Sequence, residues 1–364
     1  MRQTLAVLVA VLLALSLAAP AVAGSAGTAA ADADELACEY PIELTDATGE
    51  RITLEEEPES VVALQASDAQ TVFEIGAEDR LVGMPDSPAT ADLEMGDREA
   101  VTDGYELVTE RVIELDPDVV LAANVTTDET VETLRDAGLT VYHFHGAESI
   151  DDVRDNVVRT GELTGECDGA TETVDWMDDQ LEIVETTLED ADRPLAYYAM
   201  GDDGTTAGTG TFVHEVLTTA GVENVAERAG IVWYNELSEE TIVDEDPDWI
   251  IHSDDAEPEE LMPDVAQTTT AYENGNVIAV DANQLNQPAP QVVYAVLEIV
   301  EAVHPDAYEA AVEEVDVEDS EDADDTDDGT DTDDGDDEDP VPGFGVPIAV
   351  AAALAAAGLL ARRR

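Results

Sequence analysis

A twelve-residue segment occurs twice in this chain, and its spacing constrains the fold more than any other feature. Residues 110–121 read ERVIELDPDVVL, and residues 240–251 read ETIVDEDPDWII. In both copies a glutamate stands seven residues before a proline, and an apolar run follows the Asp-Pro-Asp triplet. Proline cannot continue a helix, and a short apolar run is typical of a buried parallel strand. Each copy is therefore predicted to be a short helix that ends at the triplet and is followed by a strand.

A strand–loop–helix unit is also predicted before each copy. The predicted strands, loops and helices are residues 61–64, 65–68 and 69–75 in the first unit, and residues 195–200, 201–210 and 212–220 in the second. Ser67 or Asp68 in the first unit and Thr211 in the second are the expected N-caps. Alternating strands and helices predict an α/β fold of two lobes with mostly parallel sheets.

Between the two units lies a segment with the pattern of one long helix. Its apolar residues are spaced by three and four positions and comprise Val174, Met177, Leu181, Val184 and Leu188. Such a stripe lies on one helix face. We assign residues 38–165 to the N-terminal lobe, 166–192 to the connecting helix and 193–310 to the C-terminal lobe. A single packed helix is expected to join the lobes rigidly and to limit hinge motion.

Both ends of the chain look like targeting segments. Residues 1–23 combine Arg2, an apolar run and an Ala-Val-Ala cleavage site, which is typical of a signal peptide, and residues 24–37 form a linker. Residues 311–341 are expected to be an acidic, disordered stalk. Residues 342–364 resemble the archaeal PGF-type C-terminal sorting signal, in which the tail is cut and replaced by a lipid; an ordinary single-pass anchor is the alternative. Either arrangement places the lobes on the outer face of the cell membrane.

The charge of the chain limits its environment and its partners. It has 88 acidic and 13 basic residues, a formal net charge of -75, and every basic residue is arginine. At molar salt the Debye length is roughly 3 Å, so the self-repulsion of such a chain is screened. We therefore expect a halophilic source. Nucleic acid is excluded as a partner because the chain offers no basic patch to bind phosphates.

The cysteines and the glycosylation sequon fit an exported protein. Cys38 and Cys167 are the two cysteines of the chain, and a bridge between them is expected, with two free thiols as the alternative. Asn124 begins an Asn-Val-Thr sequon whose use the sequence does not decide.

Several segments together resemble a known family. Residues 40–49 (YPIELTDATG), residues 211–217 (TFVHEVL) and the paired glutamate–proline segments are similar to the helical-backbone family of ABC transporter solute-binding proteins. Members of that family carry vitamin B12, ferric siderophores or heme, and the vitamin B12 binders look most similar. The resemblance implies a monomeric receptor without a cofactor and without enzymatic activity. It also implies that Glu110 and Glu240 dock onto an ABC permease dimer driven by a cytoplasmic ATPase.

The ligand is expected at the carboxyl ends of the strands, between the lobes. Tyr105, Trp233 and Tyr234 offer large amphipathic faces for a flat macrocycle or chelate. The candidate ligand-binding residues are Ser67, Asp68, Tyr105, Thr209, Trp233, Tyr234, Asn283 and Gln287. Gly204, Gly208 and Gly210 are expected to let the backbone approach that ligand. A corrinoid is the first candidate cargo, and a ferric siderophore or heme is the alternative.

Two other classes of protein stay open. His143 and His145 alternate along a predicted strand, so they would share one face and, with His214, would begin a site for bare zinc or manganese. No resident metal is assigned. A structural cell-surface protein is the second alternative. The sequence contains neither a nucleophile elbow nor a zinc-protease motif, which are the patterns that would indicate an enzyme.

Overall fold

The structure, a computed structural model, describes residues 38–324, with side chains described up to residue 315. The predicted signal peptide, the linker and the sorting signal lie outside these residues. No helix within residues 38–324 is long and apolar enough to cross a membrane.

The N-terminal lobe is built on a five-stranded parallel sheet with helices on both faces. The sheet has the order β5-β4-β3-β8-β9, and two antiparallel hairpins, β1–β2 and β6–β7, flank it. The strands are β1 (Ile42–Thr45), β2 (Arg51–Leu54), β3 (Val61–Ala63), β4 (Leu81–Met84), β5 (Glu99–Ala100), β6 (Thr102–Asp103), β7 (Glu106–Leu107), β8 (Val119–Ala122) and β9 (Val141–His143). The helices are α1 (Ala66–Glu74), α2 (Thr109–Leu115), α3 (Asp128–Asp136) and α4 (Ile150–Thr164).

The connecting helix is α5 (Cys167–Leu188), and a second α/β lobe follows it. Its parallel sheet has the order β12-β10-β14-β15, and β11 pairs with β13 in an antiparallel ribbon. The strands are β10 (Leu195–Ala199), β11 (Thr205–Ala207), β12 (Glu223–Asn224), β13 (Tyr234–Glu236), β14 (Trp249–Ser253) and β15 (Val277–Val280). The helices are α6 (Phe212–Thr219), α7 (Val225–Arg228), α8 (Glu239–Glu245), α9 (Pro258–Leu261), α10 (Thr270–Asn274), α11 (Ala282–Asn286), α12 (Val292–Val303) and α13 (Pro305–Asp324). The predicted fold class, with two α/β lobes joined by one helix, is confirmed.

The repeated Asp-Pro-Asp triplet has the same structural role in both lobes. The first aspartates, Asp116 and Asp246, end α2 and α8 in the left-handed conformation, with φ of 46° and 44°. The last aspartates accept a backbone hydrogen bond from the neighbouring strand: Asp118 from Ser60 at 2.9 Å and Asp248 from Leu195 at 3.0 Å. The triplet therefore ends a helix and fixes the start of the next parallel strand.

Helix α5 packs against both lobes through the face that its apolar stripe predicts. Met177, Leu181 and Val184 are buried in one apolar core that extends from the N-terminal lobe into the C-terminal lobe. The start of α5 crosses the end of α1 so closely that a Cβ atom at Gly169 would lie 2.0 Å from the Ile75 carbonyl oxygen. Only glycine allows this approach.

The expected disulfide is present between Cys38 and Cys167. It joins the start of the described chain to the first residue of α5 across a sequence separation of 129 residues. In the chain-entropy model, a bridge that closes so long a loop stabilises the fold by about 4 to 5 kcal/mol.

Three predicted boundaries were wrong. Helix α1 begins at Ala66 with Gln65 as its N-cap, so neither Ser67 nor Asp68 is the N-cap, although the Asp68 side chain accepts the backbone N–H of Gln65 in a capping box. The predicted loop 201–210 contains strand β11, because its backbone pairs with β13. The stalk does not begin at residue 311, because α13 runs to Asp324 and buries Ala311 and Val315 against Ile183 of α5.

One buried carboxylate holds the β1–β2 hairpin to the rest of the N-terminal lobe. Asp46 is 2% exposed, and its Oδ2 accepts hydrogen bonds from the guanidinium of Arg135 and from the backbone N–H of His143. Its Oδ1 accepts from the backbone and hydroxyl of Thr48 and from the backbone of Glu50. Burial raises the pKa of Asp46, but the hydrogen bonds from Thr48, Arg135 and His143 together lower that pKa by more than burial raises it. The pKa of Asp46 is therefore below its ordinary value.

We expect Asp46→Asn to destabilise the protein by about 3 to 5 kcal/mol, because an amide nitrogen would face the Arg135 and His143 donors and leave a buried charge unpaired. Urea unfolding in molar salt at pH 7 measures this change. Glu43→Gln, which removes an exposed ion pair with Arg51, is the matched control and should cost less than about 1 kcal/mol. Because the folded pKa of Asp46 is lowered, its contribution should vanish as pH falls through that pKa. Equal costs for the two variants would contradict this role.

Candidate functional site

The candidate site lies where residues beyond the carboxyl ends of the two sheets meet. In the C-terminal lobe, α11 follows β15; in the N-terminal lobe, a short 3-10 helix, Pro88–Thr90, follows β4. Gln287 donates a hydrogen bond to the Ala89 carbonyl at 2.9 Å, and Asn283 donates one to the Pro88 carbonyl at 3.4 Å. These two predicted ligand residues therefore join the lobes to each other.

A small cavity opens at the carboxyl edge of the N-terminal sheet. It is lined mostly by hydroxyl, amide and small apolar groups of the N-terminal lobe, with one residue from the C-terminal lobe. The lining residues are Ser67, Asp68, Thr71, Ala123, Asn124, Phe144, His145, Ala147, Asn156, Thr160 and Pro288. The predicted residues Ser67 and Asp68 thus line this cavity.

Asp68 is a buried carboxylate that joins two cleft loops. It is 7% exposed, and its Oδ2 accepts hydrogen bonds from the backbone N–H of Ala123 at 3.0 Å and of Gln65 at 3.2 Å. Burial raises the pKa of Asp68 to about 7, although these two hydrogen bonds favour the charged form. The loops after β3 and β8 therefore depend on a carboxyl group that changes its charge near neutral pH.

The three predicted aromatic residues are exposed on the β6–β7 hairpin of the N-terminal lobe and on the β11–β13 ribbon of the C-terminal lobe. Tyr105 lies between β6 and β7 and is 77% exposed. Trp233 directly precedes β13 and is 58% exposed, and Tyr234 is the first residue of β13 and is 52% exposed. The hairpin β6–β7 follows β5, and the ribbon β11–β13 follows β10, so both extend from the carboxyl edge of a sheet. In both lobes these exposed aromatic residues therefore lie beyond the carboxyl ends of the strands.

Trp233 is held in a strained backbone conformation. Its φ is 60°, which is unusual for a bulky residue. Its backbone N–H donates to the Thr209 carbonyl and its carbonyl accepts from Gly208, both at 2.9 Å. The predicted ligand residue Thr209 is therefore bonded within this ribbon, and its hydroxyl donates to the Ile231 carbonyl at 3.3 Å. The ribbon therefore fixes the backbone that carries the indole.

The glycines of this ribbon do not have the predicted role. A Cβ atom at Gly204 would lie 2.5 Å from the Leu237 carbonyl oxygen, and one at Gly208 would lie 2.3 Å from that of Ile231. The close neighbour is the protein's own backbone in both places. Gly210 faces the Trp233 ring, 3.8 Å from where its Cβ would stand. We therefore correct the expectation that these glycines admit a ligand.

The histidines do not form the hypothesised metal site. Strand β9 ends at His143, which is 6% exposed and lies 4.0 Å from Asp128, whereas His145 is exposed beside the cavity. The two side chains therefore do not share a face. His214 is 3.1 Å from the Asn224 amide. Within residues 38–315 no group of three or more His, Cys, Asp or Glu side chains could hold a metal ion.

Every arginine in the described part of the chain already has a protein partner. Each guanidinium binds a carboxylate or a backbone carbonyl, and none of them lines the cavity described above. The residues are Arg51, Arg80, Arg98, Arg111, Arg135, Arg154, Arg159, Arg193 and Arg228. Since the chain has no lysine, this cavity offers no permanent cation to an anionic ligand.

The two glutamates of the repeat occupy matched positions. Glu110 and Glu240 are the second residues of α2 and α8, helices of seven residues each, and both are exposed. Helix α2 begins just after the β6–β7 hairpin, and α8 begins just after β13. The matched exposure is what docking onto a two-fold partner would require.

Sequence reasoning missed the amides of the cavity. Asn124 follows the carboxyl end of β8, so the rule that places ligands at strand ends could have selected it, but only its sequon was noted. Asn156 lies within α4, where a lone asparagine carries no sequence signal.

Comparison with known proteins agrees with this two-lobed, cleft-containing architecture, which is that of a solute-binding protein. The family model described as periplasmic binding protein matches residues 61–284. The chain belongs to this family, whose members are binding proteins and not enzymes.

Individual relatives carry related descriptions. The cobalamin-binding protein of Halobacterium salinarum is 39% identical over 316 residues, which is 83% of this chain and 85% of that protein. The vitamin B12-binding protein BtuF of Vibrio cholerae has a TM-score of 0.58 at 20% identity, covering 70% of this chain and 98% of the other. The heme-binding protein RhuT from Roseiflexus has a TM-score of 0.60 at 21% identity, covering 70% of this chain and 99% of the other. These structural likenesses show the fold.

We expect Asp68→Asn to remove a pH dependence of stability. Because the folded pKa of Asp68, about 7, lies above its usual 3.8, the folded protein keeps a proton that the unfolded chain loses, so this group's contribution falls as pH rises from about 4 to about 7. Asparagine keeps one oxygen for both backbone donors and does not titrate. Urea unfolding at pH 5 and pH 8 in molar salt should show a smaller difference in the variant. Identical differences in both proteins would refute the raised pKa.

Proposed function

We propose that the protein is an extracytoplasmic receptor of an ABC importer and that its cargo is a corrinoid such as cobalamin. The 39% identical relative described as a cobalamin-binding protein supports this cargo. The observation that carries the proposal is the set of exposed aromatic residues on the β6–β7 hairpin and the β11–β13 ribbon, because a planar macrocycle gains affinity by lying against large, rigid side chains.

The proposed contacts divide between the two lobes. Tyr105 of one lobe and Trp233 and Tyr234 of the other supply the apolar faces, and Ser67 and Asp68 line the adjoining cavity. We no longer assign direct ligand contact to Thr209, Asn283 and Gln287, because their side chains hydrogen-bond to the ribbon or across the lobe junction. These three residues would instead fix the walls of the cleft.

Delivery would proceed through the two matched glutamates. Glu110 and Glu240 would each bind a cationic pocket on one subunit of the permease dimer, since complementary charges fix orientation and register. Export by the signal peptide and retention by the C-terminal anchor, both proposed from sequence, would place the receptor beside that permease. Hydrolysis of ATP on the cytoplasmic side would drive transport.

Calorimetric titration of the purified protein in molar salt tests the cargo. Cobalamin should bind one to one, whereas a ferric hydroxamate, heme and zinc should bind more weakly or not at all. Tight binding of another of these ligands would leave the proposed receptor function standing and would change the cargo assigned to it. If none of the four ligands binds to the folded protein, the alternative of a structural surface protein would be favoured.

Variants at Trp233 test whether cobalamin binds at the β11–β13 ribbon. Both Trp233→Ala and Trp233→Gly should weaken cobalamin binding by about 1 to 3 kcal/mol, because both remove the ring. The glycine variant should nevertheless be the more stable of the two by about 1 to 2 kcal/mol, since a left-handed φ costs glycine little. Titration and urea unfolding measure these effects. Trp249→Ala, at the opposite edge of the C-terminal sheet, is the control and should leave the affinity unchanged. Unchanged affinity in both Trp233 variants would refute the site.

Docking is tested separately by neutralising the matched glutamates. Glu110→Gln with Glu240→Gln should leave cobalamin affinity intact and reduce cobalamin uptake by cells at least about tenfold. Glu114→Gln with Asp244→Asn is the matched control, because these exposed acids lie one turn further along the same helices. Loss of cobalamin binding in the first pair, or equal loss of uptake in both pairs, would show that the docking assignment is wrong.

A further inference from the structure

We propose that the cavity beside Asp68 is a subsite that binds an uncharged carboxamide of the cargo and disfavours a carboxylate in the same place. This inference rests on the proposed function and specifies it further. A corrin ring carries carboxamide side chains around its edge, whereas the side chains at the edge of heme include ionised carboxylates. A cavity that distinguishes the two groups would therefore select among macrocycles of similar size.

The side chains that face the cavity match a carboxamide. The amides of Asn124 and Asn156 and the hydroxyl of Ser67 line it, and these side chains make no hydrogen bond to another residue in the described part of the chain. An amide both donates and accepts hydrogen bonds, as does a hydroxyl. A ligand carboxamide presents the complementary pair of groups, an N–H donor and a carbonyl acceptor.

The apolar part of the lining makes these polar groups selective. Phe144 is 4% exposed, and Ala123, Ala147 and Pro288 complete the wall. Pro288 belongs to the C-terminal lobe, so a group in the cavity would be enclosed from both lobes. Phe144 and Pro288 exclude water from their sides of the cavity, and a hydrogen bond made beside them discriminates more strongly than one on an open surface.

The charges around the cavity oppose a carboxylate. Asp68 lines it from within α1, and none of the described arginines reaches it. Two carboxylates close together repel each other, so a ligand carboxylate beside Asp68 would be disfavoured in its charged form. His145, exposed at the rim, is the only lining residue that could carry a positive charge. His145 is therefore the residue that could make the cavity prefer a carboxylate to a carboxamide, and the experiment includes a His145 variant.

The test compares cobalamin with its monocarboxylic acids, the regioisomers in which one ring carboxamide is hydrolysed to a carboxylate. Titration calorimetry at pH 8 in molar salt should find one-to-one binding of cobalamin and an affinity at least about tenfold lower for one regioisomer, the one whose changed group enters the cavity. Asn124→Ala with Asn156→Ala should weaken cobalamin binding by about tenfold, the loss of two hydrogen bonds, and reduce the difference between the two ligands. Asp68→Asn should reduce the difference by strengthening binding of the acid.

Controls separate the subsite from the receptor function. Asn274→Ala, on α10 at the opposite edge of the C-terminal sheet, should change neither affinity. Equal binding of cobalamin and every regioisomer would overturn the subsite and leave the cobalamin receptor standing. Tighter binding of an acid that His145→Gln abolishes would also overturn it, because the cavity would then hold a carboxylate. Failure of the folded protein to bind cobalamin at all would refute the proposed function and the subsite together.

Discussion

The packing of α5 against both lobes is the interaction on which the rest of the structure depends. Each sheet has two helical faces, and the apolar core on the α5 side continues from one lobe into the other through Met177, Leu181 and Val184. The Gly169 contact with α1, the disulfide at Cys167 and the burial of Val315 against Ile183 hold this helix along its length. The cleft is therefore formed by lobes whose separation one rigid element sets.

The two halves of the cleft repeat one local design. In each lobe a short antiparallel strand pair, β6–β7 or β11–β13, carries an exposed aromatic residue, and the helix with the proposed docking glutamate follows the second strand directly. Tyr105 precedes Glu110 by five residues, and Tyr234 precedes Glu240 by six. A ligand that contacts these aromatic residues would therefore act close to the surfaces proposed to meet the permease.

The sequence predicts the parts of this protein that follow from periodicity and from proline. The Asp-Pro-Asp triplets and the stripe of α5 are local patterns, and both predictions were confirmed in the structure. The ribbon at Thr205 was missed because its pairing with β13 is non-local, and a glycine-rich run looks like a loop until its partner is known. Lobe contacts at Asn283 and Gln287 were missed for the same reason, since a polar side chain at a strand end suits a ligand and a neighbouring lobe equally well.

The length of α5 has a practical consequence for sensing the cargo. A helix of 22 residues is about 33 Å long, and it is packed on both sides instead of being free to bend at a hinge. Fluorophores attached to the outer ends of the two lobes would change their distance little when the cleft fills. A single environment-sensitive dye beside the ribbon at Tyr234 would respond to the local loss of water, so a reporter built on this scaffold should be designed around polarity and not around distance.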